Sequence, residues 1–187
     1  MKDRSPWVTH ESRVMYDNPW IRVIEHRVTQ PAGSPGLYGE VHMKHIATGV
    51  VVLDEEGFTW LVGQWRYTLD AWSWEIPEGG APEGESPLAA AKRELLEETG
   101  LEAEEWSPLQ IVHTSNCVTD EIAHIFLARG VRQVAEPDPE PTEDLRVMRL
   151  PFREAIEMIE RGEITDAVSV AGLLRAQGEG QSGIPQG

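Results

Sequence analysis

Three stretches of strand-like sequence in the first 45 positions predict a small β-sheet. Residues 9–16, 20–28 and 37–43 alternate between apolar and polar positions, and the turn-forming residues 31–36 separate the second stretch from the third. Three short antiparallel strands bury little apolar surface on their own. We therefore predict that residues 1–45 form an N-terminal antiparallel β-sheet extension that packs on the main domain or on a second subunit.

A larger α/β domain is predicted over residues 46–177. Its predicted strands cover residues 49–54, 58–67, 74–77, 103–114, 121–129 and 145–150. Its predicted helices cover residues 86–99, 151–161 and 166–176. Several strands carry apolar residues at successive positions, which is typical of a sheet buried on both faces. The low-complexity residues 178–187 predict a disordered tail.

The helix over residues 86–99 has clear signals at both ends. Ser86 suits the N-cap, Pro87 suits the first helical position, and Gly100 suits a left-handed stop. The helical period gives it a predicted core face of Leu88, Ala91, Leu95 and Leu96.

The same helix carries three closely spaced carboxylates. Glu94 is followed three and four residues later by Glu97 and Glu98, so all three project from neighbouring parts of one surface. An acidic solvated face is one explanation, because exposed like-charge pairs cost only a few tenths of a kcal/mol. Partial burial would raise the repulsion to roughly 3 kcal/mol per pair and would require a divalent cation. Carboxylate oxygens at this spacing favour Mg²⁺ or Mn²⁺ over zinc.

Composition opposes several classes of protein. The chain has 187 residues, enough for one sizeable core, and no apolar run approaches the ~20 residues of a membrane span. Its formal net charge of −16 repels long nucleic acids, although a metal ion can bridge acidic side chains to a small phosphate ligand. The single cysteine, Cys117, and an N-terminus without an apolar signal segment fit a reducing compartment. We therefore expect a cytoplasmic protein with no nucleic-acid or membrane partner.

The region around the helix resembles the Nudix box. Its fixed positions are matched by Gly79, Glu85, Arg93-Glu94-Leu95, Glu97-Glu98 and Gly100-Leu101. The resemblance implies an α/β/α Nudix sandwich that hydrolyses a nucleoside diphosphate linked to another group. The metal ligands that it implies for Mg²⁺, or for Mn²⁺ as a substitute, are Glu94, Glu97, Glu98 and the carbonyl of Glu78. By the same resemblance Glu97 is also counted among the catalytic residues, while Glu85 and Arg93 hold the loop and orient the carboxylates.

Sequences outside the box resemble one branch of this family. The matching stretches are 65–67, 74–77, 79–80, 143–147 and 162–167, and they resemble the ADP-ribose pyrophosphatases and other nucleoside diphosphate sugar hydrolases. The resemblance implies a homodimer formed through the N-terminal sheet. That branch often has a proline some sixteen residues past the box, and residues 115–120 contain none. A broader range of nucleoside diphosphate sugars therefore stays open beside ADP-ribose.

Residues outside the box are expected to supply the base and the substrate contacts. A carboxylate that deprotonates or positions the attacking water is expected on the late loop, where Glu143 matches the family motif best and Glu140 lies three residues earlier. Arg66 is a candidate for the diphosphate or the terminal ribose, because a guanidinium can fork onto phosphate oxygens. The other candidate substrate contacts are Trp7 and Trp20, which could stack on the nucleobase, and Glu75.

Two alternative functions are open at this point. The chain could be a Nudix module that binds a nucleotide sugar without cleaving it, although its box is intact. It could also be a Nudix enzyme for another nucleoside diphosphate derivative, such as a dinucleoside polyphosphate, coenzyme A or capped RNA. The flanking sequences and the acidic charge favour the nucleoside diphosphate sugar reading.

Replacement of Glu143 by Gln should lower kcat by orders of magnitude and leave substrate affinity nearly intact, because the amide cannot accept the proton of water. Steady-state kinetics on the substrate of the wild-type enzyme measures both quantities. Turnover near the wild-type rate would remove Glu143 from the mechanism.

Overall fold

The structure is a computed structural model that describes residues 4–138 and 144–181, with side chains through Gly178. In chain order its elements are β1 (Val8–Asp17), β2 (Ile21–Thr29), β3 (Pro35–Met43), β4 (Ile46–Val52), β5 (Phe58–Arg66), β6 (Ala71–Glu75), β7 (Glu78–Ala81), α1 (Pro87–Thr99), β8 (Leu101–His113), β9 (Ile122–Gln133), β10 (Arg146–Pro151), α2 (Phe152–Glu160) and α3 (Ala167–Gln181). The chain divides into two compact units, residues 1–45 with 113–121 and residues 46–112 with 122–187.

The first unit contains an antiparallel sheet in the order β1-β2-β3. Residues 113–121 add to the open side of β3, where the Val41 N–H donates to the Val118 carbonyl at 2.8 Å and Val41 forms an isolated bridge with Thr119. The Met43 N–H donates to the Asp120 carboxylate at 2.9 Å. The sequence analysis anticipated the three strands but not that this later segment joins them.

The second unit has helices on two sides of the sheet β7-β4-β9-β8. Strand β4 lies at its centre, parallel to β9 and antiparallel to β7. Val50 and Val52 pack in the apolar cluster that includes α1, whereas Val51 packs in the cluster that includes α2 and α3. Successive residues of β4 therefore face opposite layers. This confirms the prediction of an α/β/α sandwich with strands buried on both faces.

A second sheet of the same unit has the order β10-β5-β6. Both neighbours pair with β5 in antiparallel register. Buried Leu61 of β5 and Leu150 of β10 join the apolar cluster that contains α2 and α3. Among the described residues no helix combines the length and the apolar character needed to cross a membrane.

The structure adds a strand at the start of the box. The sequence analysis placed no strand between residue 77 and the helix at residue 86, but Glu78–Ala81 form strand β7, which pairs with β4 through Gly79↔Thr48 and Gly80↔Ala47. Two consecutive glycines weaken a strand signal, since glycine loses more backbone entropy than other residues on folding. Backbone pairing with β4 therefore holds this segment as a strand although its own sequence favours a strand only weakly.

Two helices also differ in detail from their predictions. In α1, Ala90 is fully buried, while Leu88 of the predicted core face is 37% exposed. Helix α3 continues to Gln181, four residues into the segment predicted to be a disordered tail, and the rest of that segment lies outside the described residues.

Replacement of Leu95 by Ala should reduce the free energy of unfolding by about 2–5 kcal/mol, because Leu95 is fully buried and its loss leaves a cavity. Leu88→Ala on the same helix is the matched control and should cost much less. Urea denaturation of the two variants measures the difference. Equal losses would contradict the assignment of the buried face.

Candidate active site

Helix α1 presents three glutamates near its C-terminal end. Its start is fixed by Ser86, whose side chain caps the helix, and its end by Gly100 in the left-handed conformation at φ 71°. The Glu94 side chain is 14% exposed and that of Glu97 is 37% exposed, whereas Glu98 is 1% exposed. The glutamates are therefore not a uniformly solvated face.

The Arg93 guanidinium joins the loop before α1 to two of these carboxylates. It donates to Glu85 at 3.0 Å, to Glu94 at 2.8 Å and to Glu97 at 3.0 Å. It also donates to the Gly80 carbonyl of β7 at 3.0 Å. The Glu85 contact is the largest of the effects that raise the pKa of Arg93, so this side chain stays charged.

Strand β7 lies directly against the same face of α1. The Glu78 N–H donates to Glu98 Oε2 at 3.0 Å. A Cβ atom at Gly79 would clash with the Glu94 carboxylate, so this close approach requires glycine. The carboxylates of Glu94 and Glu98 therefore converge on the backbone at the start of β7.

A second guanidinium lies beside this point. Arg66 of β5 donates to Glu75 through Nε at 2.8 Å and through Nη2 at 2.5 Å, and its Nη2 donates to Glu78 Oε1 at 2.8 Å. Glu75 is 2% exposed and also accepts from Gln64 at 3.5 Å. Glu75 thus holds Arg66 in place and has little surface to offer a ligand.

Negative charge accumulates around Glu78. Burial raises the pKa of its carboxyl well above the usual range, the nearby charges of Asp166 and Glu75 add to the rise, and Arg66 opposes it. Its Oε2 atom is buried and accepts no hydrogen bond within residues 4–138 and 144–181. Burial lowers the pKa of Arg66, but its contacts with Glu75 and Glu78 outweigh this effect, so that pKa is raised overall.

The N-terminus of α3 supports this region, a role that the sequence analysis did not assign to Asp166 or Ser169. Asp166 accepts the Ser169 N–H at 2.7 Å, and the fully buried Ser169 hydroxyl accepts the Ile76 N–H at 3.0 Å. These contacts fix the backbone between Glu75 and Glu78. The signal in the sequence was Asp166 at the predicted helix start, because Asp is a preferred N-cap residue that accepts a backbone N–H two or three residues later.

The other four predicted residues lie in the first unit or outside the described residues. Trp7 and Trp20 belong to the first unit, where Trp7 contacts the Tyr38 ring edge-on at 5.3 Å and Trp20 is 64% exposed. Glu140 and Glu143, the candidate bases, lie outside the described residues.

A separate group of possible metal ligands lies in the first unit. One ligand atom from each of Glu40, His42 and Asp120 falls within 4.8 Å of the others. His42 Nδ1 is 2.5 Å from Asp120, and Glu40 is 2.8 Å from His26 Nε2. Histidine–carboxylate pairing accounts for these contacts, and the His42 and Asp120 side chains are 40% and 43% exposed.

Replacement of Glu78 by Gln should change how the stability of the metal-free protein depends on pH. A raised carboxyl pKa means that the native state binds more protons than the unfolded state, so the contribution of Glu78 to wild-type stability falls as the pH rises above 4.5. The free energy of unfolding of Glu78→Gln relative to that of wild type should therefore increase as the pH rises above 4.5. Urea denaturation with EDTA measures it, and the exposed Glu83→Gln is the control. A pH-independent difference would contradict the expectation.

The sequence matches two family models. Residues 43–172 match the NUDIX domain, and residues 7–41 match the nucleoside diphosphate sugar hydrolase N-terminal domain. Together the matches cover most of both structural units.

Two relatives and a solved structure agree with these matches. An ADP-ribose pyrophosphatase of Mycobacterium tuberculosis is 32% identical over 89% of this chain and 81% of its own. A CMP-5'-(N-acetyl-N-hydroxy-3-aminopropyl)phosphonate hydrolase of Streptomyces rubellomurinus is 30% identical over 93% of this chain and 84% of its own. The crystal structure of an ADP compounds hydrolase superposes with a TM-score of 0.81 at 18% identity, over 98% of this chain and all of the other, and shares the fold. The chain therefore belongs to the NUDIX family and is a Nudix pyrophosphohydrolase.

Proposed function

We propose that this enzyme hydrolyses the diphosphate bond of a nucleoside diphosphate sugar, ADP-ribose or a related compound. The products are a nucleoside monophosphate and a sugar phosphate. One observation carries the proposal: the box carboxylates of α1 converge on β7 in a chain whose residues 7–41 match the N-terminal domain of nucleoside diphosphate sugar hydrolases.

Divalent metal is the cofactor that this arrangement fits. The groups gathered between α1 and β7 are carboxylates and backbone carbonyls, which are the oxygen ligands that Mg²⁺ and Mn²⁺ prefer. The buried Glu78 Oε2 atom, which accepts no hydrogen bond from a described residue, supports a cation here, because a buried polar oxygen without a partner is costly. The proposed ligands are Glu94, Glu97, Glu98 and the Glu78 carbonyl. When bound, Mg²⁺ would neutralise charge on the phosphoryl oxygens and lower the pKa of a water ligand.

The protein side chains orient these ligands and accept the proton. Arg93 links Glu85 to the Glu94 and Glu97 carboxylates, so each carboxylate is directed before substrate binds. Glu143 is the proposed general base that takes the proton of the attacking water, with Glu140 as the alternative on the same loop.

Substrate contacts are proposed for the charged and aromatic residues outside the box. Arg66 keeps one guanidinium nitrogen, Nη1, without a hydrogen bond to any described residue, and its side chain is 36% exposed. That nitrogen is the proposed donor to the diphosphate or the terminal ribose. Glu75 acts on the substrate through Arg66, while Trp7 and Trp20 remain candidates for stacking on the base.

The division of the chain into domains, its oligomeric state and its location are also proposals. Residues 1–45 form a dimerisation subdomain and residues 46–177 the hydrolase domain, and α3 continues past this boundary to Gln181. All ten residues of β1 are exposed, which supports a second copy of the chain covering the N-terminal sheet. A cytoplasmic location remains a prediction from the single cysteine.

A second candidate substrate contains cytidine rather than adenosine. The phosphonate hydrolase relative, named for a CMP conjugate, matches over 93% of this chain. Hydrolysis at phosphorus would then be a reaction of the same class. The substrate would carry a different nucleobase and a different group in place of the sugar.

A substrate panel tests the proposal. With Mg²⁺ present, ADP-ribose, ADP-glucose, GDP-mannose, UDP-glucose, a CMP-linked compound and diadenosine polyphosphates are compared by chromatography of the products. We expect release of a nucleoside monophosphate and a sugar phosphate, and loss of activity when EDTA removes the metal. Cleavage of diadenosine polyphosphates alone would replace the proposed substrate class. Lack of hydrolysis with both Mg²⁺ and Mn²⁺ would favour a binding module.

A further inference from the structure

A short link carries the chain from one sheet of the second unit to the other. Strand β6 ends at Glu75 in the sheet β10-β5-β6, and β7 begins at Glu78 in the sheet β7-β4-β9-β8, so only Ile76 and Pro77 lie between them. Glu75 holds Arg66, and Glu78 supplies the carbonyl proposed to bind metal. The conformation of the link therefore affects where Arg66 lies relative to that carbonyl.

The backbone groups of the link are bonded by different elements. The Ile76 N–H donates to the Ser169 hydroxyl of α3 at 3.0 Å, whereas the Pro77 carbonyl accepts the Val50 N–H of β4 at 2.8 Å. Pro77 has no N–H, and the N–H of Glu78 donates to α1 at 3.0 Å. The Glu78 end of the link is thus held by β4 and α1, while the bond at Ile76 depends on Ser169.

The face of α3 that carries Ser169 packs closely on Ile76. Both residues are fully buried. A Cβ atom at Gly172 of α3 would lie 3.4 Å from the Ile76 side chain, and one at Gly49 of β4 would lie 2.9 Å from it. This packing keeps water away from the Ile76 N–H, and a buried N–H without an acceptor is costly. The position of Ser169 therefore needs a hydrogen-bond acceptor rather than an apolar side chain.

The bond from Ser169 acts directly beside Glu75. The Ile76 N–H belongs to the peptide group that begins at the carbonyl carbon of Glu75, so the hydroxyl fixes the peptide plane that follows this residue. The Glu75 carboxylate in turn accepts from Arg66 at 2.8 and 2.5 Å. Asp166 holds Ser169 itself by accepting its N–H at 2.7 Å. A continuous series of contacts therefore joins the start of α3 to the Arg66 guanidinium.

We propose that Ser169 is a positioning residue for the hydrolysis: its hydroxyl fixes the peptide group after Glu75 and so directs the Arg66 guanidinium toward the diphosphate. The proposal rests on the proposed function, in which Arg66 contacts the substrate. Ser169 is fully buried, so its effect passes through Glu75 and Arg66. Because a misplacement of 1 Å costs about 100-fold in rate, even a smaller displacement of the guanidinium is measurable.

Replacement of Ser169 by Ala removes the acceptor of the Ile76 N–H. The substitution should lower kcat/KM by about 10-fold. The Mg²⁺ half-saturation concentration should stay unchanged, because the Glu78 end of the link keeps its bonds to β4 and α1. Rates are measured at a temperature at which circular dichroism shows each variant to be folded.

Thr59→Val is the matched control for the loss of a buried hydroxyl. Thr59 is also fully buried in the second unit, but its Oγ1 atom has no hydrogen-bond partner among the described residues. The kcat/KM of this variant should equal that of wild type.

A double-mutant cycle tests whether Ser169 acts through Arg66. Arg66→Lys keeps a positive charge beside Glu75 and Glu78 but loses the forked donor. The effect of Ser169→Ala should largely disappear in the Arg66→Lys background. It should persist in full in the Arg93→Lys background, because Arg93 pairs with the glutamates of the box.

Four results would overturn the positioning role while wild-type turnover upholds the proposed hydrolysis. They are a wild-type kcat/KM for Ser169→Ala, a wild-type kcat/KM for Arg66→Lys, a raised Mg²⁺ half-saturation concentration for Ser169→Ala, and losses from Ser169→Ala that are equal in all three backgrounds. Absence of wild-type turnover on nucleoside diphosphate sugars would instead overturn the proposed function and this proposal with it.

Discussion

The close contact between α1 and β7 is the constraint on which the candidate active site depends. Glu98 accepts the Glu78 N–H, and Glu94 lies so near Gly79 that no side chain fits between them. Carboxylates are thereby carried into a poorly solvated region, where their mutual repulsion is stronger than in water. Every other feature of the site either makes this contact possible or offsets its electrostatic cost.

Two arginines offset part of this repulsion between carboxylates within the described residues. Arg93 pairs with carboxylates of the box, and Arg66 pairs with Glu75 and Glu78. The acids still outnumber the arginines, and the pKa of Glu78 is raised by burial and by its acidic neighbours. Removal of one partner of a buried pair leaves an uncompensated charge, so loss of either arginine would leave the carboxylates beside it without compensation.

Packing from distant parts of the chain holds the contact in place. Ser169 of α3 fixes the backbone at Ile76 just before β7, while Gln133 and Asp138 attach to the C-terminal end of α1. Both supports come from segments that follow the box in sequence by more than 30 residues. The site is therefore a property of the folded second unit rather than of the box alone.

The sequence by itself determined the box helix and the placement of its carboxylates. Ser86 and Gly100 set the ends of α1, and the spacing of Glu94 and Glu98 placed them on one face, because capping and helical period are local properties. Strand β7, the exposure of Leu88 and the use of Glu75 to hold Arg66 were decided only by the tertiary structure. The reason is physical: glycine-rich strands form through their partners, and burial or ion pairing depends on residues brought together from distant positions.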